Sequence, residues 1–365
     1  MREAATAARE IYPAVDRVLR EAGGGRMAGV RLAYEFGRRV LLVQFVRGSW
    51  LCTATVDAAT GEVTGILDDG LRVPDGGTAA MDRAATAVTL PYGPVGDVRA
   101  AVDDVGVAYV ATGSGVGVVR LRQGRRWVLT VEEHHVTGLG STRQVAPVPG
   151  GVVGTTRDGR AFRLDTGGRL CWETRLPATA ATVGADTRGL RVLLATTAGA
   201  MELDARDGTI LGLAGGPVRA AAYLPGGDRI LAGHGGDLTV LDDGGEVRWR
   251  WVQGEVPARV WAQTGRVYLA GEGGLKEIVV GEGVVARWSA PGTGGVDDAV
   301  VAAGRVLTCS GGDRMDLHDY GTGSYHGTVG AAGAGPSALT VVTADRKPWL
   351  LTGHRDGTVS ARPVR

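Results

Sequence analysis

This chain has little of several residue types that functional sites commonly need. Its 365 residues include three cysteines and only 5% aromatic residues. Cys52, Cys171 and Cys309 are far apart and odd in number, so they predict neither a disulfide framework nor a structural zinc site. The scarcity of aromatic side chains removes the stacking platform on which single-stranded nucleic acid binds.

The chain also lacks an excess of charge of either sign. Lys and Arg together number 40 against 39 Asp and Glu, which leaves a formal net charge of +1 and argues against a nucleic-acid footprint. Only Lys276 and Lys347 are lysines, as codon bias in a GC-rich bacterial genome would produce. No signal core opens the chain and no run approaches the ~18 apolar residues of a membrane span, so we expect a cytoplasmic protein with no membrane partner.

Glycine, in contrast, is abundant at 61 residues, and glycine-containing turns separate short apolar runs. The clearest example is residues 215–252, where the runs VRAAAYL, RILAG, LTVLD and EVRWRWV are divided by the turns PGGD, HGGD and DGG. Short apolar runs separated by such turns are typical of antiparallel strands. One sheet of this size cannot bury both of its faces, so the pattern predicts further copies packed beside it.

The copies can be aligned on the residue that ends each third strand. These residues recur at intervals of 38 to 44, the length of one propeller blade: Arg122, Asp165, Asp204, Asp242, Val280, Asp319 and Pro363. The sequence therefore predicts an all-β fold, a seven-bladed β-propeller of four-stranded blades over residues 84–365. The predicted blades are 96–130, 131–176, 177–214, 215–252, 253–290, 291–330 and 331–365. The last of these lacks a fourth strand, and we expect residues 84–93 to complete it and close the ring.

The first 66 residues form a separate predicted domain. Ile11, Val15, Val18 and Leu19 have helical spacing within residues 2–22, and antiparallel strands follow. This arrangement, with the phrase VDAATGEV, resembles the small PepSY-type module. The alternative is an appended helix and β-hairpin that pack on the propeller. Residues 67–83 are rich in Gly and Asp and are predicted to be a linker.

Two repeat families resemble the propeller region. TGHRDGTVSARP at residues 352–363 is similar to a WD-repeat blade, whereas LDARDGTI at 203–210 and LDDGGEVRWRW at 241–251 resemble quinoprotein (PQQ-like) repeats. The quinoprotein resemblance implies a calcium-bound quinone and a pair of adjacent cysteines. This chain has no adjacent cysteines, so PQQ is not expected and only the fold carries over. No cofactor is expected, and a metal is not excluded. The resemblance places Trp127, Trp172, Trp249 and Trp288 on outer strands, where we interpret them as core between blades.

The starts of the predicted inner strands carry a recurring arginine. Arg99, Arg143, Arg219 and Arg259 occupy nearly equivalent positions, and Asp298 takes the same place in a fifth blade. An inner strand borders the central channel, so these guanidinium groups are predicted to gather at its mouth and to bind a carboxylate or phosphate. The alternative is that each arginine pairs with a nearby loop acid.

Histidines give a second candidate site. His134 and His135 are predicted in the loop after the first blade, and His234 and His354 in turns that open on the same face. Imidazole groups beside carboxylates can bind a metal or transfer protons, so His134 and His135 are candidate catalytic residues. The alternative is that exposed turns simply collect polar residues.

Two hypotheses of function follow. The first is a cytoplasmic binding or scaffold protein whose partner is an anionic small molecule, a peptide or a protein, recognised by the arginines together with His234 and His354. The second is a channel-site enzyme, a hydrolase, lyase or cyclase of a biosynthetic pathway, in which a histidine acts as acid or base. The sequence contains no recognisable catalytic set and leaves the choice open.

Overall fold

Among the residues that it describes, the computed structural model contains eight four-stranded antiparallel sheets. It describes residues 17–23, 26–35, 38–47, 50–72, 86–90, 93–123, 126–224, 226–252, 257–263, 266–271, 274–280, 284–290, 296–302, 304–310, 314–320, 323–330 and 335–364. The chain divides into two compact units, Met1–Ala80 with His318–Gly327, and Met81–Leu317 with Thr328–Arg365. No helix in the described residues is long and apolar enough to cross a membrane.

The first sheet consists of β1 (Arg26–Glu35), β2 (Arg38–Arg47), β3 (Trp50–Asp57) and β4 (Val63–Arg72). Residues 17–21 are helical, and Val18 and Ala22 pack on the buried face of this sheet with Phe45. The rest of the predicted helix lies outside the described residues.

The predicted antiparallel strands of this extension form a full four-stranded sheet, whose last strand extends into residues 67–72 of the predicted linker. Strand β4 continues through Asp68, which pairs with Cys52, to Arg72, which pairs with Trp50. Asp68, Asp69 and Gly70 are accommodated in β4 because a β-ladder is built from backbone groups. Residues 73–83 of the predicted linker lie outside the described residues.

Seven sheets follow in residues 86–363, and each is one blade. Blade 1 comprises β6 (Asp97–Ala100), β7 (Val107–Thr112), β8 (Gly115–Gln123) and β9 (Trp127–Val136). Blade 2 comprises β10 (Thr142–Val148), β11 (Gly151–Thr156), β12 (Arg160–Asp165) and β13 (Leu170–Arg175). Blade 3 comprises β14 (Ala180–Ala185), β15 (Arg191–Thr196), β16 (Gly199–Asp204) and β17 (Ile210–Gly215), and blade 4 comprises β18 (Val218–Tyr223), β19 (Arg229–Gly233), β20 (Asp237–Leu241) and β21 (Val247–Val252).

Blades 5 and 6 comprise β22 (Pro257–Gln263), β23 (Arg266–Gly271), β24 (Gly274–Val280) and β25 (Val284–Ala290), then β26 (Asp298–Ala302), β27 (Arg305–Cys309), β28 (Arg314–Asp319) and β29 (Tyr325–Gly330). Blade 7 comprises β30 (Pro336–Ala344), β31 (Lys347–His354), β32 (Thr358–Pro363) and β5 (Thr86–Thr89). The predicted all-β propeller of four-stranded blades is confirmed. The fourth strand of blade 7 is β5, which pairs antiparallel with β32 from Thr86↔Ala361 to Thr89↔Thr358.

The blades are joined by apolar clusters that lie between neighbours. One cluster packs Val110 and Leu129 of blade 1 on Leu351 and Ala361 of blade 7, and another packs Phe162 of blade 2 on strands of blade 1. A third joins blades 2 and 3 through Trp172, whose indole Nε1 donates to the carbonyl oxygen of Ala205 at 3.0 Å. Among the described residues, such clusters join blade 7 to 1, 1 to 2, 2 to 3, 3 to 4, 4 to 5 and 6 to 7, so neighbouring blades hold one another's strands in place.

Candidate functional site

The starts of the inner strands are the candidate site, and the structure divides the predicted arginine column into two groups. Arg143 and Arg219 lie at β-bulges, where the register shifts between Thr142 and Gln144 and between Val218 and Ala220. Arg259 pairs with Ala270 on the ladder itself, and Arg99 pairs with Tyr109 deeper in its blade. The five predicted residues therefore do not occupy one ring.

Arg99 and Arg259 are engaged with two buried carboxylates, Asp97 and Asp298. Arg99 lies 2.9 Å from Asp97 (Nη2 to Oδ1) and 3.1 Å from Asp298 (Nη1 to Oδ2). Arg259 lies 3.2 Å from each carboxylate, with Nη2 at Asp97 Oδ1 and Nη1 at Asp298 Oδ1. The two positive and two negative charges sum to zero. We call these four residues the ion-pair quartet.

The quartet also binds the backbone of neighbouring blades. Asp97 accepts a hydrogen bond from the amide of Val145 in blade 2, and Asp298 accepts one from the amide of Leu339 in blade 7. Arg99 donates to the carbonyl oxygen of Leu339 at 2.8 Å. These contacts make the quartet an internal link between blades. Arg99 and Arg259 pair with acids, as the alternative interpretation of the arginine column expects. Ligand binding by Arg99, Arg259 and Asp298 at the channel mouth stays a prediction.

The carboxylates of the quartet have raised pKa values. Burial raises the pKa of Asp97 to about 6, with the charge of Arg99 opposing the shift and that of Asp298 adding to it. Burial likewise raises the pKa of Asp298 against the opposing charge of Arg99. The sequence-based candidates did not include Asp97, although it holds the position in blade 1 that Asp298 holds in blade 6.

Arg143 and Arg219, in contrast, form a patch with Arg157, and we call these three residues the arginine patch. Arg157 lies in the turn after β11, and its amide donates to the carbonyl oxygen of Ser141, which ties this turn to the start of β10. Burial lowers the pKa of Arg143, and the charges of Arg157 and Arg219 lower it further. Within the described part of the chain, none of the three guanidinium groups has a hydrogen bond or an ion pair.

The acid next to Arg157 does not neutralise the patch. Asp158 accepts a hydrogen bond from the hydroxyl of Thr156 and pairs with Arg160 at 3.0 Å. Gly159, at φ +81°, provides the left-handed conformation that closes the turn. The turn therefore directs the carboxylate to its own strand pair and leaves Arg157 exposed beside Arg143.

The four predicted histidines differ in the elements that hold them and in burial. His134 and His135 lie in β9, the outer strand of blade 1, and not in a loop, because β9 continues to Val136. His134 Nε2 lies 3.0 Å from the hydroxyl of Thr112, and burial, followed by the charge of His135, lowers its pKa. His135 Nε2 lies 3.3 Å from Glu133, and its ring packs so closely on Gly168 that any side chain there would collide with it.

The other two histidines also differ in exposure. His234 is exposed in the turn between β19 and β20. His354 is fully buried, and its Nε2 lies 2.9 Å from Ser360 Oγ. In the parts of the chain that the structure describes, no group of three or more His, Cys, Asp or Glu residues is placed to hold a metal ion. A catalytic role for His134 and His135 stays a prediction.

Comparison with known proteins identifies the fold. The structure matches a solved WD40 β-propeller domain of Doa1 with a TM-score of 0.62 and 13% sequence identity, over 77% of this chain and 96% of that domain. No protein-family model matches the sequence, and no curated protein matches it either. The chain is therefore a WD40-like β-propeller by fold, and the WD-repeat resemblance is confirmed. At this identity the likeness concerns the fold alone.

Proposed function

We propose that this propeller is a scaffold that binds an anionic group of a protein or peptide partner at the arginine patch. The observation that carries the proposal is that the guanidinium groups of Arg143, Arg157 and Arg219 lie together without a carboxylate partner among the described residues. Unneutralised guanidinium groups bind carboxylate and phosphate through charge-assisted hydrogen bonds.

The electrostatics of Arg143 support an anion at this place. Because burial and the charges of Arg157 and Arg219 lower its pKa, the patch carries positive charge at a cost in free energy. A bound anion would remove the repulsion between the three groups. All three residues are exposed, which favours a polypeptide that lies across the surface over an enclosed small molecule.

The enzyme alternative receives less support. It requires a histidine beside the anion-binding arginines, whereas His134 and His135 lie in an outer strand and His354 is buried inside blade 7. Arg143 and Arg219 lie at the starts of inner strands and Arg157 lies in the turn after β11, whereas His134 and His135 lie at the end of the outer strand β9.

The test uses a hexaglutamate peptide and a phosphoserine peptide as probes, titrated into the full chain at low salt. Replacing Arg143, Arg157 and Arg219 with Gln should weaken binding of at least one probe by about tenfold or more, since each lost charge-assisted hydrogen bond contributes roughly 1.5–3 kcal/mol in favourable geometry. A matched variant with Arg188, Arg206 and Arg250 replaced by Gln makes the same change in net charge and should bind like the parent. Equal weakening in both variants would show that only net charge matters and would refute the patch.

A further inference from the structure

A cavity of about 110 Å³ lies between blade 1 and blade 2, away from the arginine patch. Its walls come from the turn that joins β6 to β7, from β8 and β9, and from the facing end of blade 2. Since one water needs roughly 10–15 Å³ of such space, the cavity can hold a group of several heavy atoms.

Carboxylates dominate the polar lining of this cavity. Two arginines neutralise two of them: Arg120 Nη1 lies 2.9 Å from Asp104 Oδ1 and its Nε lies 2.7 Å from Glu132 Oε1, and Arg122 also pairs with Glu132. Asp103 and Glu133 also line the cavity, and no arginine or lysine of the described residues pairs with either of them. Asp103 accepts a hydrogen bond from the amide of Gly150, and Glu133 lies 3.3 Å from His135. The cavity therefore has an excess of negative charge.

Tyr109 is the second feature that indicates a ligand. Its side chain lines the cavity and is only 6% exposed, while its ring packs in the apolar cluster between blades 1 and 2. Its hydroxyl has no hydrogen-bond partner in the described part of the chain. Burial, followed by the charges of Asp103 and Asp104, raises its pKa, so the hydroxyl is protonated at neutral pH. This hydroxyl is therefore available to hydrogen-bond a bound group.

The third feature of the cavity is an apolar residue, Val102. Val102 lines it and is 61% exposed, so its side chain is accessible to a ligand. Lysine and arginine side chains combine an aliphatic stem with a cationic end, and their stems bury readily against apolar surface. The carboxylates of the cavity therefore complement the cationic end of such a side chain, and Val102 complements its aliphatic stem.

We propose that this cavity binds the cationic side chain of a lysine or arginine supplied by a partner polypeptide, with Asp103, Glu133 and the Tyr109 hydroxyl oxygen accepting its N–H groups and Val102 contacting its stem. The site is independent of the arginine patch. Arg143 lies near the start of β10, whereas Val148, at the other end of that strand, lines the cavity. They are five positions apart, which corresponds to about 16 Å of extended strand. The propeller would thus present sites of opposite charge at the two ends of one inner strand.

The test titrates the peptide acetyl-Gly-Arg-Gly-amide into the full chain and records chemical-shift changes, with the same peptide carrying citrulline in place of arginine as the neutral control. The arginine peptide should bind saturably and the citrulline peptide should bind at least about tenfold more weakly. The Asp103→Asn, Glu133→Gln double variant should lose binding by a similar factor. Tyr109→Phe keeps the ring in its cluster and should weaken binding by roughly tenfold, as expected for one hydrogen bond to a charged group.

A matched double variant, Asp207→Asn with Glu246→Gln, makes the same charge change on exposed residues of blades 3 and 4 and should bind the arginine peptide like the parent. Melting curves of all variants check that the fold is kept. Three results would overturn the proposal: no saturable binding of the arginine peptide, equal binding of the citrulline peptide, or undiminished binding by the Asp103, Glu133 double variant in a folded protein.

Discussion

His354 is a buried imidazole that the fold holds in its neutral form. Its side chain is fully buried at the end of β31, and burial lowers its pKa, with Asp356 opposing the shift and Arg362 adding to it. Nε2 lies 2.9 Å from the hydroxyl of Ser360 on the neighbouring strand β32. The residue therefore joins two strands of blade 7, and its place inside the blade corrects the expectation that it lies on an exposed turn.

This burial predicts a pH dependence of stability. Because the pKa of His354 is lowered in the folded protein, its contribution is present above the ordinary histidine pKa of about 6.5 and is lost as the pH falls through the folded value. The free energy of unfolding of the parent should therefore decrease, relative to a His354→Gln variant, when the pH is lowered from about 7.5 to 5.5. The slope for one proton is at most about 1.4 kcal/mol per pH unit.

Denaturant titrations at several pH values would measure the difference between parent and variant. Asp97, whose raised pKa makes a contribution of opposite sign in the same window, is common to both proteins and cancels. His234→Gln, on the exposed turn, is the control and should keep the slope of the parent. A parent and a His354→Gln variant with the same slope would contradict a neutral buried imidazole.

At the scale of the element, strand β5 shows how a short segment can complete a distant sheet. It pairs with β32 across more than 260 residues of sequence, and Leu90, directly after it, is only 2% exposed in the core between blades 7 and 1. The amide of Leu90 donates to the carbonyl oxygen of Gly357 at 2.9 Å. Without β5, the edge of β32 would be open.

Removing this strand should therefore destabilise the whole propeller. Deletion of residues 84–93 is expected to lower the melting temperature sharply, since blade 7 loses its outer strand and the core loses Leu90. The milder change Leu90→Ala should lower the free energy of unfolding by about 2–5 kcal/mol. Thr89→Ala, at an exposed position of the same strand, should change it by less than about 0.5 kcal/mol. Unchanged melting of the deletion variant would refute the closure.

Strand β9 shows where local pattern reasoning fails. Its polar run Glu132-Glu133-His134-His135 predicts a loop, yet the backbone continues to pair with β8 as far as His135↔Val116 and Val136↔Gly115. An outer strand has one ladder partner and one solvent-facing edge, so it accepts polar side chains that an inner strand would exclude. The ends of the third strands, in contrast, could be predicted from the sequence. Side chains such as Asp165 and Asp242 accept hydrogen bonds from the amides of the turns that follow them, and this turn chemistry is local in the chain.

At the scale of the whole molecule, the ion-pair quartet connects blades that are not adjacent. Arg259 of blade 5 and Asp97 of blade 1 are 162 positions apart in sequence, yet their charged atoms lie 3.2 Å apart. With the amides of Val145 and Leu339, the quartet contacts blades 1, 2, 5, 6 and 7. It therefore depends on the ring having formed.

The quartet should contribute measurably to the stability of the ring. Asp298→Asn leaves two largely buried guanidinium groups with one carboxylate, and loss of one member of a buried ion pair costs about 3–5 kcal/mol. The neighbouring Asp297→Asn removes the same charge from an exposed residue that pairs with Arg355 at 3.5 Å, and should cost about 0–1 kcal/mol. Denaturant unfolding of both variants measures the contrast; similar values would show that the quartet does not stabilise the ring.

The sequence by itself determined the strands, their grouping in fours and the repeat of 38 to 44 residues, because alternation and turn chemistry act between residues close in the chain. Only the tertiary structure decided which arginines are available. Arg99 and Arg143 start successive inner strands and look alike in sequence, but Arg99 meets carboxylates from other blades, whereas Arg143 lies at a bulge beside Arg157 and Arg219. Coulomb interactions depend on distance in space, and the closed ring sets that distance.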